Sequence, residues 1–255
     1  MHIPRKRFGQ NFLEDPQIIN ACLSAIHPSS SDLLVEIGPG LGALTKPLLR
    51  MLNHLHVVEI DRDIINRLSQ EYSPEKLTIH EGDVLNFDFA SLGDRFRVVG
   101  NLPYNISTPF LFHLAKYGRR MIDGHFMLQK EVVERMVAAP STSDYGRLSV
   151  MLQYQFDMEY LFTVPGDAFR PPPKVESAFV RMIPLDPPPF PAQDYNLFAS
   201  VVAAAFGARR KTLRNSLRNL LTDNDFSQLG IVPTQRAENL SVSEFIQIAN
   251  YLSAH

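Results

Sequence analysis

Asn101, Leu102, Pro103 and Tyr104 stand where an apolar run, Phe96 to Gly100, meets a stretch with helical spacing through Phe110 and Leu114. Their types suit the grip of a flat base that carries an amine. The Asn101 side-chain oxygen and the Leu102 carbonyl can accept the two amine hydrogens. Pro103 brings no donor and fixes its own φ, and Tyr104 offers a ring for stacking, a contact worth about 1–3 kcal/mol per base. Phe169, in a later loop, is placed to cover the opposite face of the same base. An exocyclic amine is a poor nucleophile because its lone pair is delocalised into the ring, so two acceptors on its hydrogens would favour the pyramidal, reactive nitrogen. Asn101 is neutral, which fits polarisation by hydrogen bonds better than proton abstraction. Asn and Pro are also ordinary turn residues, so the tetrad alone leaves a plain strand-to-helix turn open.

Upstream, Glu36 to Gly42 place three glycines where a first strand should end and a first helix begin. Such a turn lets a ligand approach the backbone. With Ala43 in the last position, Gly38 and Gly40 also fit the dinucleotide pattern, so a nicotinamide enzyme stays open. Glu59 closes the second strand about 20 residues further on, where an acid can accept both ribose hydroxyls. Asp83 follows the third strand and can accept from an adenine amine. A glycine turn, Glu59 and Asp83 on three successive strand ends suit one adenosine better than a long dinucleotide.

Downstream, Ala203 to Leu221 hold five basic residues, Arg209, Arg210, Lys211, Arg214 and Arg218, and no acidic one. The spacing predicts a helix over Lys211 to Leu221, with Arg210, Arg214 and Arg218 on one ridge and Leu213, Leu217 and Leu220 facing inward. That ridge would contact nucleic-acid phosphates, which supply affinity without sequence choice. Arg5 to Arg7 form a basic N-terminal arm, and Arg119 with Arg120 extend the footprint.

Positioning these residues requires a strand-and-helix frame. Strands are expected at Leu33–Ile37, Leu55–Ile60, Leu77–His80, Phe96–Val99 and His125–Leu128, with helical spacing between most of them. The alternation implies an α/β fold with a parallel, doubly wound sheet. Two further strands, Met158–Val164 and Ser177–Ile183, would end the sheet in a hairpin. Five prolines between Pro184 and Pro191 mark a boundary, beyond which the patterns are helical only. Two domains are expected, 1–186 with the basic arm, and a small all-helical domain over 187–255.

Composition narrows the class. The chain has 255 residues, one cysteine and a formal net charge of −2, which fits a globular protein of a reducing compartment and excludes a uniformly basic binder. No run approaches a membrane span, so a cytoplasmic location without membrane association is expected. The eight histidines show no metal-ligand spacing, so no metal is expected.

The motifs GQNFL, EIGPGLGALT, VVEID, GDVLNFD, NLPYNIS, FRPPPKVES and AFGARRKTLRNSL, in this order and spacing, resemble those of the ribosomal RNA adenine dimethyltransferases over nearly the whole chain. The resemblance is closest to the bacterial small-subunit branch. It implies a Rossmann-like class I methyltransferase fold with a mostly parallel seven-stranded sheet, and S-adenosyl-L-methionine as cofactor. It puts Asn11 and the Leu13 backbone at the cofactor, Gly38 beside its amino-acid part, Glu59 on its ribose, Asp83 on its adenine and Asn101 near the reacting end. The implied partner is small-subunit ribosomal RNA within an immature subunit, met by a monomer that dimethylates two adjacent adenosines near the 3′ end. A large-subunit RNA or DNA adenine methyltransferase and a mainly binding assembly factor are the alternatives that the same motifs leave open.

Overall fold

The computed structural model describes residues 11–186, 188, 190–208 and 210–254. The Arg5–Arg7 arm and Arg209 lie outside the described residues. The chain divides into two compact units, 1–133 with 157–184, and 134–156 with 185–255.

The first unit opens with β1 (Phe12–Leu13) and α1 (Pro16–Ile26). Asp15 caps α1 by accepting from the Gln17 and Ile18 amides, and Pro16 sits at the first helical position, where its missing N–H costs nothing. Strands and helices then alternate: β2 (Leu34–Ile37), α2 (Thr45–Met51), β3 (Leu55–Glu59), α3 (Arg62–Glu71), β4 (Leu77–Glu81), β5 (Phe96–Asn101), α4 (Ser107–Ala115) and β6 (Met121–Gln129). All four residues of β2 are buried, as expected of a central strand covered on both faces. After an excursion come β7 (Phe156–Val164), β8 (Phe169–Arg170) and β9 (Ser177–Pro184).

The main sheet has seven strands in the order β4-β3-β2-β5-β6-β9-β7, and β1 pairs separately with β8. From β4 across to β6 the neighbours are parallel, while β9 runs antiparallel to β6. The expected parallel sheet with an antiparallel end is therefore present. Ile37 lies level with Val58 on one side and Gly100 on the other, and Glu59 lies level with Glu81. The carboxyl ends of β2, β3, β4 and β5 thus finish together. The chain leaves β2 towards β3 on one side and returns through β5 on the other, which makes a topological switch point where such sheets bind ligands.

One buried ionic clamp ties this unit together. Arg97 on β5 donates to both Asp123 oxygens on β6, at 2.8 and 2.7 Å, and to Asp32 Oδ2 at 2.7 Å. Its Nη2 also donates to the carbonyl of Ile26 at the end of α1, at 2.6 Å.

The second unit contains α6 (Arg147–Gln153), α7 (Tyr195–Phe206), α8 (Leu213–Ser216), α9 (Asp223–Leu229) and α10 (Val242–Ser253), and α5 (Lys130–Val137) leads into it. Its first segment, 134–156, was expected in the sheet domain and belongs here instead. The reason is packing. The Tyr154 and Phe198 rings meet with centroids 4.7 Å apart, Tyr145 donates to the Leu240 carbonyl at 2.8 Å, and the Ser141 amide donates to the Glu238 carbonyl at 2.8 Å. The later border, between Pro184 and Leu185, lies beside the expected one.

The predicted helix over Lys211 to Leu221 also changes. It is a single four-residue turn, Leu213–Ser216, and its first two amides, which no helix pairs internally, are capped from another segment: the Leu213 and Arg214 amides donate to the carbonyls of Gln235 and Pro233. Leu213 and Leu217 are buried as expected, but Leu220 is 38% exposed. Just beyond, Thr222 and Asp225 form a capping box that starts α9, a helix the apolar spacing did not announce.

Candidate active site

A cavity opens beyond the carboxyl ends of the first four main-sheet strands. It is lined by Asn11, Leu13, Gly38, Gly40, Glu59, Asp83 and Asn101, all seven residues expected at the cofactor, and by Leu102, Pro103 and Tyr104 of the tetrad. Phe169 is not among the lining residues. It is 2% exposed in the hydrophobic core and opposes Leu13 in the β1–β8 ladder.

The glycine turn is shaped by backbone need. Gly38 has φ +64° and Gly40 φ +53°, a region that costs other residues about 1–2 kcal/mol. A Cβ on Gly40 would also stand 3.0 Å from the Phe12 ring. The turn, β1 and the cavity wall are thus one packed unit.

Glu59 is 7% exposed, and its Oε1 accepts from the Ile60 and Asp61 amides at 2.8 Å each. Burial raises its pKa, opposed by those amides and that of Gly40. These bonds fix the carboxylate at the end of β3. Asp83 uses Oδ1 to accept from the Leu85 amide at 2.9 Å, capping a short 3-10 turn. It is both a turn cap and a cavity wall.

Glu36 is the residue that the earlier reading passed over. It is buried in the middle of the wall, and Thr45 at the start of α2 donates to its Oε2 at 2.7 Å. Burial pushes its pKa up to about 7, helped by the charge of Glu59 and opposed by the Thr45 hydroxyl. An acid inside the apolar stretch Leu33–Ile37 was the signal for it. Among the described residues lining the cavity, the charged ones are Glu36, Glu59 and Asp83. All three are acidic, an acceptor set that suits a nucleoside bearing cationic groups better than one bearing a pyrophosphate.

The tetrad is held from two sides. Asn101 Nδ2 donates to the Asn11 carbonyl at 3.0 Å. Because a carbonyl only accepts, this bond settles which end of the amide is which and turns Oδ1 away from Asn11. The Leu102 amide donates to the Met127 carbonyl at 3.1 Å, fixing the peptide that follows Asn101. The Pro103 carbonyl accepts from the Ile106 amide and the Ser107 hydroxyl, and Tyr104 hydrogen-bonds Ser177 Oγ at 2.7 Å.

The sequence model of a family described as ribosomal RNA adenine dimethylase matches residues 1–254. The chain belongs to the ribosomal RNA adenine dimethylase family. As a member it is an rRNA methyltransferase, and the nicotinamide reading of the glycine turn falls away. The chain is 62% identical over 252 residues to the ribosomal RNA small subunit methyltransferase A of Nitrosospira multiformis, covering 99% of this chain and 97% of that one. It is 55% identical to the protein of the same name from Neisseria meningitidis, again over 99% and 97% of the two chains. In fold it is similar to a crystal structure of a dimethyladenosine transferase from Plasmodium falciparum, with a TM-score of 0.79, 24% identity, and coverage of 95% of this chain and 98% of that one. It is also similar to the 23S rRNA methyltransferase ErmE, with a TM-score of 0.74, 22% identity, and coverage of 95% and 100%.

Within this family member the basic residues expected at RNA sit apart from one another in kind. Arg210, Lys211, Arg214 and Arg218 are all exposed, and the short α8 holds only Arg214 of them. Arg214 spends its charge on Asp223, at 2.9 Å. Arg120 likewise faces Asp94 at 3.3 Å.

Proposed function

We propose that the chain transfers methyl groups from S-adenosyl-L-methionine to the exocyclic N6 of two adjacent adenosines near the 3′ end of small-subunit ribosomal RNA. The products are N6,N6-dimethyladenosines made during ribosome biogenesis, in the cytoplasm, by a monomer acting on a partly assembled subunit. The observation that carries this reading is the Asn101 amide, locked by Asn11 at 3.0 Å and followed by the anchored Leu102 peptide and the cavity-lining Tyr104. The names of the relatives, small subunit methyltransferase A, support the choice of RNA.

When bound, S-adenosyl-L-methionine supplies an electrophilic methyl group with an excellent leaving group, so no strong base is required of the protein. Gly38, Gly40, Asn11 and Leu13 would hold its amino-acid side, Glu59 its ribose and Asp83 its adenine. Asn101 Oδ1 and the Leu102 carbonyl accept the hydrogens of the target amine and turn its lone pair towards the methyl. Tyr104 stacks on the base. The base must leave its helix or loop to arrive here, and alignment of the two reactants contributes about 7–11 kcal/mol to the acceleration.

The test compares labelled methyl transfer to naked small-subunit RNA, to large-subunit RNA, to DNA of matching sequence and to small ribosomal subunits lacking the modification, with the modified positions mapped. Two adjacent dimethyladenosines near the 3′ end of the RNA are expected. Transfer to DNA alone, or to large-subunit RNA, would overturn the reading.

A further inference from the structure

Ser177 does not line the cavity, yet it touches the ring that does. Its Oγ stands 2.7 Å from the Tyr104 hydroxyl, and it is 1% exposed at the first position of β9. That position is itself pinned. Ser177 lies opposite Gln129 at the end of β6, while the preceding Glu176 accepts the Lys130 amide at 3.0 Å and the Lys130 ammonium at 2.8 Å. The hydroxyl is thus fixed to the sheet by neighbours on both strands. Tyr104, in contrast, sits in the turn between β5 and α4, where two side-chain torsions would otherwise be free.

We propose that Ser177 is a positioning residue for methyl transfer: its hydroxyl tethers Tyr104 and sets the angle at which the ring meets the target base. This rests on the reading of Tyr104 as a stacking residue. A ring held only by packing can tilt, and a tilted base presents its amine off the line of transfer. Ser177 closes the FRPPPKVES stretch and is the first residue of the strand that reaches back under the tetrad. Burial raises the Tyr104 pKa, which keeps its hydroxyl protonated and able to donate.

Four variants decide the matter: Ser177→Ala, Tyr104→Phe, the two combined, and Tyr104→Ala. Each is measured for single-turnover methyl transfer to small ribosomal subunits lacking the modification, for KM of those subunits, and for affinity of S-adenosylhomocysteine. Loss of the tether should slow transfer about tenfold in Ser177→Ala and in Tyr104→Phe, the scale of one hydrogen bond. The double variant should be no slower than either single one. S-adenosylhomocysteine affinity should stay within about twofold of wild type, because a tether acts on orientation rather than on cofactor binding. A Tyr104→Phe enzyme at the wild-type rate, or a double variant slowed by the product of the two single factors, overturns the tether. If Tyr104→Ala also transfers at the wild-type rate, the stacking reading itself fails. If only Tyr104→Ala is slow, stacking stands and the tether falls. Should Ser177→Ala fail to fold, Tyr104→Phe removes the same bond from the other side.

Discussion

At the scale of single residues, Asn101 and Glu36 do different work within one wall. Asn101 is oriented by a backbone carbonyl 90 positions earlier in the chain, so its oxygen is aimed before any substrate arrives. Asn101→Ala should therefore abolish most methyl transfer while leaving S-adenosylhomocysteine binding within a few-fold of wild type. Turnover within a few-fold of wild type in a labelled-methyl assay would rule out polarisation. Glu36 makes a prediction about pH. Its pKa rises from 4.5 in the open chain to about 7 when folded, so the folded state binds its proton more tightly. The stability that this proton confers is complete below pH 4.5 and drains away as pH climbs to 7, by up to about 3 kcal/mol. Glu36→Gln keeps the acceptor for Thr45 without the charge. Its melting temperature relative to wild type should rise between pH 5 and pH 8, and a constant difference across that range would contradict the argument. The sequence marks Asn101 as a candidate but gives Glu36 no role. The place of Asn101 at the mouth of a turn suggested a use, whereas Glu36 lay inside an apolar run and read as part of the strand.

At the scale of elements, strands and long helices were legible and their partners were not. The helices Pro16–Ile26 and Tyr195–Phe206 each bury one face against a core, which leaves an apolar spacing in the sequence. The basic stretch is the counter-example. Leu213, Leu217 and Leu220 have helical spacing, but the helix is one turn long and its first two amides are capped by a segment about 20 residues later, a partner that no local pattern encodes. Phe169 is a second case. A lone aromatic in a proline-rich loop can face a ligand or the core, and the ladder to Leu13 draws it inward. Each exposed cation of this segment should contribute its own phosphate contact. Replacing Arg210, Lys211 and Arg218 together by Gln should weaken binding to small ribosomal subunits and flatten the log–log salt slope by about 2 units. Replacing Arg214 alone should change it less, because that charge is already shared with Asp223. Equal slopes for the triple variant and wild type would remove this segment from the RNA contact.

At the scale of the whole molecule, the parallel, doubly wound sheet followed from the alternation of strand and helix, but the division of the chain did not. Residues 134–156 lie between two strands of one sheet and yet join the helical unit, since Tyr145 and Tyr154 find their partners at Leu240 and Phe198. The sheet unit has its own long-range bond in Arg97, which joins β5, β6 and the end of α1. Arg97→Met would leave Asp32 and Asp123 largely buried without a counter-charge, at a cost of about 3 kcal/mol. Urea unfolding should show a lower midpoint with an unchanged slope. A midpoint equal to wild type would mean that the two carboxylates find water.

The bond between Asn11 and Asn101 has a consequence in time. Asn11 is followed at once by β1, whose ladder partner β8 is made about 150 residues later. During synthesis the wall carrying Asn101 can fold early, but the strand that delivers the Asn11 carbonyl cannot be clasped until Arg170 has left the ribosome. A nascent chain that already owns its glycine turn, its acids and its tetrad is therefore still an unset catalyst. Completion of the site waits for a clasp between the two ends of the sheet unit, so that a truncated product would carry the motif without the activity.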